Sequence, residues 1–536
     1  MKNNIILAFT ALALFAFSCN NPSDEFRTIK PEVLKDKIAG GWAGKMVGVT
    51  YGAPTEFKAQ GRIFEDSITW KPSDIIGSMW QDDIYVQLTF LMSMDKYGMD
   101  APAKKFHEMF AKAGYMLWHA NMQGRKNYFD SIFPPASGSP QYNLHADDID
   151  FQIEADYIGF MCPGMPQTAS AIADKIGHIM NYGDGVYGGI FVAALYSEAY
   201  FESDLKKIIE KALKSIPEGS DYYKIVKDVI TLHQHYPSDW RAAWNELEAK
   251  WGKVQICKAG TTFNIDAKLN GAYIVMGLLY GESDPMKTLE ISTRCGQDSD
   301  CNPSNALAVL GIIKGFSGLP AEMQKGVEAI GDSLFSHTSY SFNSAVESTN
   351  KYALDLILRD GGEVTGKKIS VKTQLPVAPA LEVAFPNLVF LKNVSAFDQD
   401  QIKFKGSWKP YEVTGRDKKV SKQSMFSEKK GDEFAINFSG TGISIEGNWY
   451  KDGGKADVYV DGTLNRTIDT YYDFAKQQHV ESIWHVLNLE PGEHEIKFVV
   501  TGEKRPESAG TRVYVRSATI FDTAPKTNES YKFTFE

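Results

Sequence analysis

The sequence predicts a multidomain chain in which an all-α bundle is followed by an all-β sandwich of jelly-roll type. Three observations carry that expectation. Helix-period apolar segments alternate with Gly, Pro and Asp loops from residue 28 to residue 360. The passage "GGEVTGKKISVKTQLPVAPALEVAFPN" then breaks the helical period and reads as a linker. Beyond it, two-residue alternation dominates. The expected division is a leader and tether over 1–27, a helical domain over 28–360, a linker over 361–384, a β-sandwich over 385–525 and a tail over 526–536.

The leader "MKNNIILAFTALALFAFSC" places Lys2 before an apolar run from Ile5 to Phe17 and ends at Ser18-Cys19. The run is too short to span a bilayer comfortably and reads as an export signal. Its cysteine resembles that of a bacterial lipobox, with Cys19 as the acylated residue. An ordinary secretory signal with an incidental cysteine is the alternative. The polar tether "NNPSDEF" follows. No later segment is apolar enough to cross a membrane, so the expected membrane contact is a lipid anchor alone. The expected location is a bacterial membrane surface, periplasmic or outer-facing.

The helical domain opens with "PEVLKDKIAGGWAGKMVG", where Pro31 suits a first helical turn and Val33, Leu34, Ile38, Trp42 and Met46 share helical spacing. "DDIYVQLTFLMSMDKYG" has carboxylates in its first turn and Gly98 at its end. "PQTASAIADKIGHIM", "GGIFVAALYSEAYF", "DYYKIVKDVITLHQHY", "LNGAYIVMGLLYG" and "NPSNALAVLGIIKGF" continue the pattern. Several are apolar on many faces and rich in Gly and Ala, as a large all-α core requires. In the last domain "EFAINFSGTGISIEGNW", "KADVYVDGTLNRTID", "EHEIKFVVTG" and "TRVYVRSATIF" read as strands joined by "DGG", "DG" and "EPGEH" turns, giving a sandwich of about 140 residues.

Bulk chemistry narrows the partners. The net charge is -10 over 536 residues, and no basic block interleaves with aromatics, which excludes nucleic acid as an expected partner. After Cys19, Cys162, Cys257, Cys295 and Cys301 remain. Cys295 and Cys301 could close a short disulfide loop; free buried thiols are the other reading.

Acidic and Gly-rich segments carry the chemistry. They are "GVTYGAPTEF", "WQDDIYVQLTFL", "HADDIDFQIEADYIG", "NYGDGVYGG" and "CGQDSDCNPSNALAVLG". A single carboxylate pair opening a helix is ordinary capping. Two such pairs, Asp82-Asp83 and Asp298/Asp300, each enter an unusually apolar helix. Buried carboxylates need a compensating charge, and Arg294 is the nearest basic candidate in sequence. An all-oxygen donor set points to one or two divalent cations, Mg²⁺ foremost, with Ca²⁺ or Mn²⁺ as alternatives.

The ordered set of segments resembles the ADP-ribosylglycohydrolase superfamily over about residues 35–330. "GVTYGAPTEF" is similar to its Gly-Asp-Ala-x-Gly-x-x-x-Glu segment and "QDDI" to its Thr/Ser-Asp-Asp-Thr motif. "GQDSDCNPSNALAVLGIIKGFSGLP" is similar to its final Gly-x-Asp-Thr-Asp-Thr motif. The resemblance implies an all-α bundle with a metal centre in a cleft. It implies Asp82, Asp83, Asp298 and Asp300 as metal ligands, with the Gln81 amide able to join them. Glu56 matches the cleft glutamate. "NYGDGVYGG" takes the place of the central Asn-Gly loop, which implies Asn181, Gly183, Asp184 and Tyr187 as substrate contacts. The pattern is broken at Val49, Ile84 and Cys301, where the family has Asp, Thr and Thr. "HADDIDFQIEADYIG" lies outside that pattern, and Asp147 or Asp148 is a candidate catalytic acid beside Glu56; a solvated helix entry is the plain alternative.

The β-domain resembles galactose-binding-like modules of secreted glycosidases. Trp449, Tyr450, Tyr471, Tyr472 and Trp484 could stack on sugar rings or pack internally. The expected function is metal-dependent hydrolysis of a glycosidic bond in a glycan or glycoside outside the cytoplasm. Hydrolysis of an ADP-ribosyl bond is one alternative, and a surface lipoprotein that binds glycan without cleaving it is another.

Overall fold

Four glycines spaced four residues apart, Gly40, Gly44, Gly48 and Gly52, lie along one edge of the Pro31–Gly52 helix. That spacing forms a flat stripe, and the Cys301–Lys314 helix lies against it. A Cβ on Gly44 would sit 2.6 Å from the Leu307 carbonyl oxygen, and one on Gly52 only 2.0 Å from that of Ser299. Each glycine weakens the isolated helix by roughly 0.5–1 kcal/mol relative to alanine. The close approach offsets this by burying the first helix from Gly40 to Gly52 and the second from Cys301 to Ile312. It also brings the two ends of the helical domain's sequence together, and both ends carry the acidic motifs.

The computed structural model describes residues 25–414, 418–474, 477, 479–524 and 531–533. The leader and Cys19 lie outside the described residues. Helices Asp82–Tyr97, Asp184–Ala199, Ala267–Tyr280 and Phe342–Arg359 surround the central pair. Asp184–Ala199 and Ala267–Tyr280 are buried along their whole length, as their all-round apolar pattern requires. No helix among the described residues is long and apolar enough to cross a membrane.

The passage read as a linker is partly strand. Ile369–Lys372 pairs antiparallel with Phe26–Ile29 on one side and with Glu363–Val364 on the other. Residues 380–384 then run along the loop that opens the Asp184–Ala199 helix. Tyr187 donates its hydroxyl to the Ala380 carbonyl at 2.9 Å.

The C-terminal region is a β-sandwich of open antiparallel sheets. One sheet has five strands in the order Thr463–Asp469, Lys455–Val460, Gly492–Val500, Glu433–Gly440, Ile402–Lys405. The other has four, in the order His479–Val486, Gly442–Trp449, Ser517–Thr523, Leu388–Ser395. A three-stranded sheet of Val513–Val515, Val420–Ser427 and Lys409–Thr414 adjoins them. Alternate residues such as Phe434, Ile436 and Phe438 meet Ile443, Ile445 and Ile520 in one core. Trp449, Tyr472 and Trp484 are buried there too, which removes them as open sugar platforms.

The His479–Val486 edge carries the sandwich onto the helical domain. His485 Nε2 lies 2.7 Å from the Pro140 carbonyl, and Glu481 reaches His145 at 2.9 Å. Arg505 pairs with Asp130 at 2.6 Å. All four described cysteines are free and buried, so Cys295 and Cys301 do not form a disulfide.

Candidate metal centre and cleft

Two loops are tied together beneath the glycine stripe. Phe57 N–H donates to the Gln297 carbonyl at 3.0 Å, and Gln297 N–H donates to that of Ala59 at 2.8 Å. The Thr55 and Ser299 hydroxyls share a hydrogen bond of 2.7 Å. The turn at Gly296-Gln297 has φ of +87° and +55°. Gln297 holds this left-handed geometry through its side chain, which accepts from Asn264 N–H at 2.9 Å and donates to the Thr262 carbonyl at 3.0 Å. The result sets Glu56 beside Asp298 and Asp300.

Asp82 and Asp83 open their helix across the same cleft, a space of about 260 Å³. Two donor groups emerge. Glu56, Asp298 and Asp300 form one, and Asp83, Asp300 and Cys301 the other, with donor atoms in each within 4.8 Å of one another. Asp300 belongs to both. Asp82 and Gln81 line the same space outside these two groups.

The charge balance is lopsided. Lys45 is the cation that reaches this cluster. Its wholly buried ammonium lies 3.3 Å from Asp83 and 2.8 Å from Asp156, and donates to the Ile153 carbonyl at 2.7 Å. Arg294, the neighbour suggested by sequence, instead pairs with Glu290 and donates to the Phe64 carbonyl. Burial, with Asp300, Asp82 and Asp83 nearby, pushes Glu56 up to about 8 even though it stays accessible at the rim. Burial pushes Asp298 up to about 8 and Asp82 up to about 6. Asp300 is raised as well, first by burial and then by Asp298.

An oxygen-rich, acidic pocket with too few cations fits one or two hard divalent ions. The buried Asp298 Oδ1 has no hydrogen-bond partner among the described residues, which leaves it free to coordinate an ion. The broken positions of the motif have structural explanations. Val49 and Ile84 are buried in apolar core. The Cys301 thiol donates to Asp83 Oδ2 at 3.3 Å and so orients the carboxylate as well as standing near it.

Other sequence-derived candidates go elsewhere. Asp147 and Asp148 do not line the carboxylate cleft; they cluster with Asp266. Lys268 compensates that group, pairing with Asp266 and lying 3.6 Å from Asp147. Asp150 of the same segment does reach the cleft, where it accepts from Asn121 N–H at 3.0 Å and Ala120 N–H at 3.3 Å at the start of the His119–Phe129 helix. Asn181 is a structural clamp: its amide donates to the Ala146 and Asp148 carbonyls and accepts from Phe151 N–H. Gly183, Asp184 and Tyr187 face the 380–384 passage or the Asp221–His235 helix, with Asp184 accepting from Tyr222 N–H at 3.1 Å. Asp184 lines a separate space of about 570 Å³ with Asp147 and Lys268. The 380–384 passage covers this loop, so it makes no wall of the carboxylate cleft.

Trp80 and Trp118 were not singled out in sequence. Both line the cleft, and they are 63% and 37% exposed. Such indoles are normally covered, and here they frame the opening above the carboxylates. A tryptophan directly before "QDD" was the available signal.

The ADP-ribosylglycohydrolase family model matches residues 30–351, more than half of the chain. The chain is similar in structure to an ADP-ribosylglycohydrolase-related protein complex at 12% identity, over 60% of this chain and 99% of that one, with a TM-score of 0.43. It is also similar to a carbohydrate-binding module in complex with calcium and xylotriose, at 18% identity over 25% and 100% of the two chains, with a TM-score of 0.17. A two-domain esterase active on acetylated mannans gives 18% identity over 35% and 48%, with a TM-score of 0.20. No curated protein matches the chain.

Proposed function

The chain belongs to the ADP-ribosylglycohydrolase family, and from that premise we propose that it hydrolyses the glycosidic bond of a glycan or glycoside in the carboxylate cleft. One observation carries the reading: an over-acidic, oxygen-rich donor set lies in a cleft that two exposed tryptophans also line. The indoles supply flat apolar faces for a sugar ring. The carboxylates supply acceptors for its hydroxyls.

Asp298, Asp300 and Asp83 would hold a divalent cation, which when bound supplies Lewis acidity and charge compensation for the substrate's hydroxyls and the attacking water. The remaining chemistry belongs to the side chains. Glu56 sits at the accessible rim beside these ligands, where burial and the neighbouring carboxylates raise it, and is placed to act as the general acid that protonates a departing oxygen. Lys45 and the Cys301 thiol hold Asp83 from two sides. Asp150 fixes the start of the His119–Phe129 helix and thereby the neighbouring Trp118. Export and lipid anchoring at Cys19, which lies outside the described residues, would place this activity outside the cytoplasm.

The test is a turnover screen of the purified chain against aryl glycosides, plant and host glycans, and ADP-ribosyl-arginine and ADP-ribosyl-serine peptides, with Mg²⁺, Ca²⁺, Mn²⁺ or chelator. The expected result is cation-dependent glycoside turnover, with Glu56→Gln lowering kcat by about 10²–10⁴. Turnover of ADP-ribosyl substrates alone would assign the family's namesake reaction instead. No turnover, with melting shifts caused by glycans, would leave a binding protein.

A further inference from the structure

A second donor cluster adjoins the cleft, which His119 also lines, and its chemistry is different. His119 Nδ1, His145 Nδ1, an Asp148 carboxylate oxygen and Cys257 Sγ all lie within 4.8 Å of one another. We propose that His119, His145, Asp148 and Cys257 form a closed structural zinc site that fastens the β-sandwich to the helical domain.

The donor types are the first support. Two imidazoles, a carboxylate and a thiol make an N₂OS set, which suits zinc and disfavours Mg²⁺ or Ca²⁺. The spacing is the second. His119 Nδ1 is 3.8 Å from Cys257 Sγ and 3.6 Å from Asp148 Oδ2. Ligands about 2.0–2.3 Å from a tetrahedral zinc stand roughly 3.3–3.6 Å apart. The His145 Nδ1 to Asp148 Oδ2 separation is 2.8 Å, a hydrogen bond that must open by about half an ångström to admit the ion. Four protein ligands leave no open position, the arrangement of a structural site.

The outer partners are the third support. The other nitrogen of His145, Nε2, lies 2.9 Å from Glu481 Oε2. A carboxylate on the far nitrogen of a ligating imidazole fixes its tautomer and raises its donor strength. Glu481 comes from the His479–Val486 strand of the β-sandwich, whereas all four ligands come from the helical domain. Asp148 Oδ1, fully buried, has no hydrogen-bond partner among the described residues. Cys257 is 2% exposed, which makes it a poor nucleophile and a good structural ligand.

Ile149, Ile153, Ile265, Phe57 and Phe263 pack in one apolar cluster with Cys257 here and Cys301 of the carboxylate cleft. The two clusters share no ligand residue and have opposite metal preferences.

The experiment uses the full chain purified without added chelator. Elemental analysis should find about one zinc per chain. Cys257→Ala and His145→Gln should each lower it at least about fivefold, while Asp298→Asn in the carboxylate cleft leaves it unchanged. Cobalt substitution of the wild-type chain should give a thiolate-to-cobalt absorption band in the near ultraviolet. That band needs no variant and stands even where Cys257→Ala fails to fold. Zinc absent both as purified and after incubation with zinc sulfate, cobalt without a thiolate band, or rapid alkylation of Cys257 in the native zinc-treated chain each overturns the proposal. So does zinc that Asp298→Asn removes and Cys257→Ala retains. None of these readouts depends on glycoside turnover, so the site stands or falls independently of the proposed reaction.

Discussion

Lys45→Met probes the support beneath the cleft. Methionine matches the length of the lysine stem and keeps the packing, so the substitution removes mainly the charge. The lost contacts are Asp156 at 2.8 Å, Asp83 at 3.3 Å and the Ile153 carbonyl at 2.7 Å, all in a wholly buried setting. Breaking a buried ion pair from one side costs about 3–5 kcal/mol, because the other charge stays behind. Asp156 keeps Asn305 at 2.9 Å, Gln87 at 3.2 Å and the Tyr196 hydroxyl, and Asp83 keeps the Cys301 thiol. These offset part of the loss, so the prediction is about 3 kcal/mol at pH 8, near the lower end. The sign with pH follows from linkage. Burial already holds Asp156 above its ordinary value, against the opposing pull of Lys45, and removing the ammonium raises it further. A native state that binds more protons than the unfolded chain gains stability below the unfolded pKa and loses it as pH rises through the folded one. The deficit of the variant should therefore be small at about pH 5 and full at about pH 8. Urea unfolding of both chains at the two pH values, in chelator and at fixed ionic strength, reads it directly. A deficit below about 1 kcal/mol at pH 8, or one that does not change with pH, would refute the assignment of Lys45 as the neutralising charge.

Three further outcomes are expected. With chelator present, the wild-type chain should lose stability between about pH 5 and pH 8: Glu56 and Asp298 hold protons up to about 8 and Asp82 up to about 6, whereas unfolded carboxylates release theirs near 4. Mg²⁺, Ca²⁺ or Mn²⁺ should reverse the loss at the higher pH, by about 2.7 kcal/mol at a hundredfold excess over Kd, and calorimetry that shows neither trend contradicts the hard-cation site. Gly48→Ala places a Cβ 2.4 Å from the Ser304 Cα and must separate two central helices, so chemical denaturation should show a loss of about 2 kcal/mol or more; a neutral result would mean the helix pair has slack. Trp80→Ala should raise KM for a turned-over glycoside about three- to tenfold and leave kcat nearly unchanged, and a fall in kcat alone would move Trp80 from ring binding to chemistry.

The helical period, the alternating strands and the change of texture near residue 361 were legible because each reflects burial within one element. Asp82, Asp83, Asp298 and Asp300 were legible for a related reason, whereas Glu56 was reached only through the family resemblance. Carboxylates at the mouths of apolar helices are anomalous within a short window, and these converge in space. The compensating charge was not legible. Lys45 is one lysine in "GWAGKMVG", and only the meeting of three helical segments shows that it never reaches water. Asn181, Gly183, Asp184 and Tyr187 were assigned by their place in a family pattern, but the 380–384 passage, about two hundred residues away, covers that loop. Contacts of that range leave no periodic trace in sequence.

The segment "HADDIDFQIEADYIG" shows how one stretch can serve several centres. Its acidic residues within ten positions would be solvated if the stretch were a surface helix entry. Instead Asp147 turns to Lys268, Asp148 to His145, Asp150 to the start of the His119–Phe129 helix, Glu154 to Asn121 and Asp156 to Lys45. Each carboxylate is buried, and each has a different partner. Two short helices, Asp150–Glu154 and Asp156–Phe160, break the chain at Ala155 and so send neighbouring side chains in different directions. The charge balance then ranks the parts. Asp147 and Asp156 are paired with lysines inside the protein and serve as structure. Asp148 is shared by two histidines and a thiol, with one oxygen unpaired. The cleft carboxylates fed by the flanking motifs exceed Lys45, the one lysine that reaches them among the described residues, and that excess marks the cleft as a place where an external cation and a polar substrate are needed.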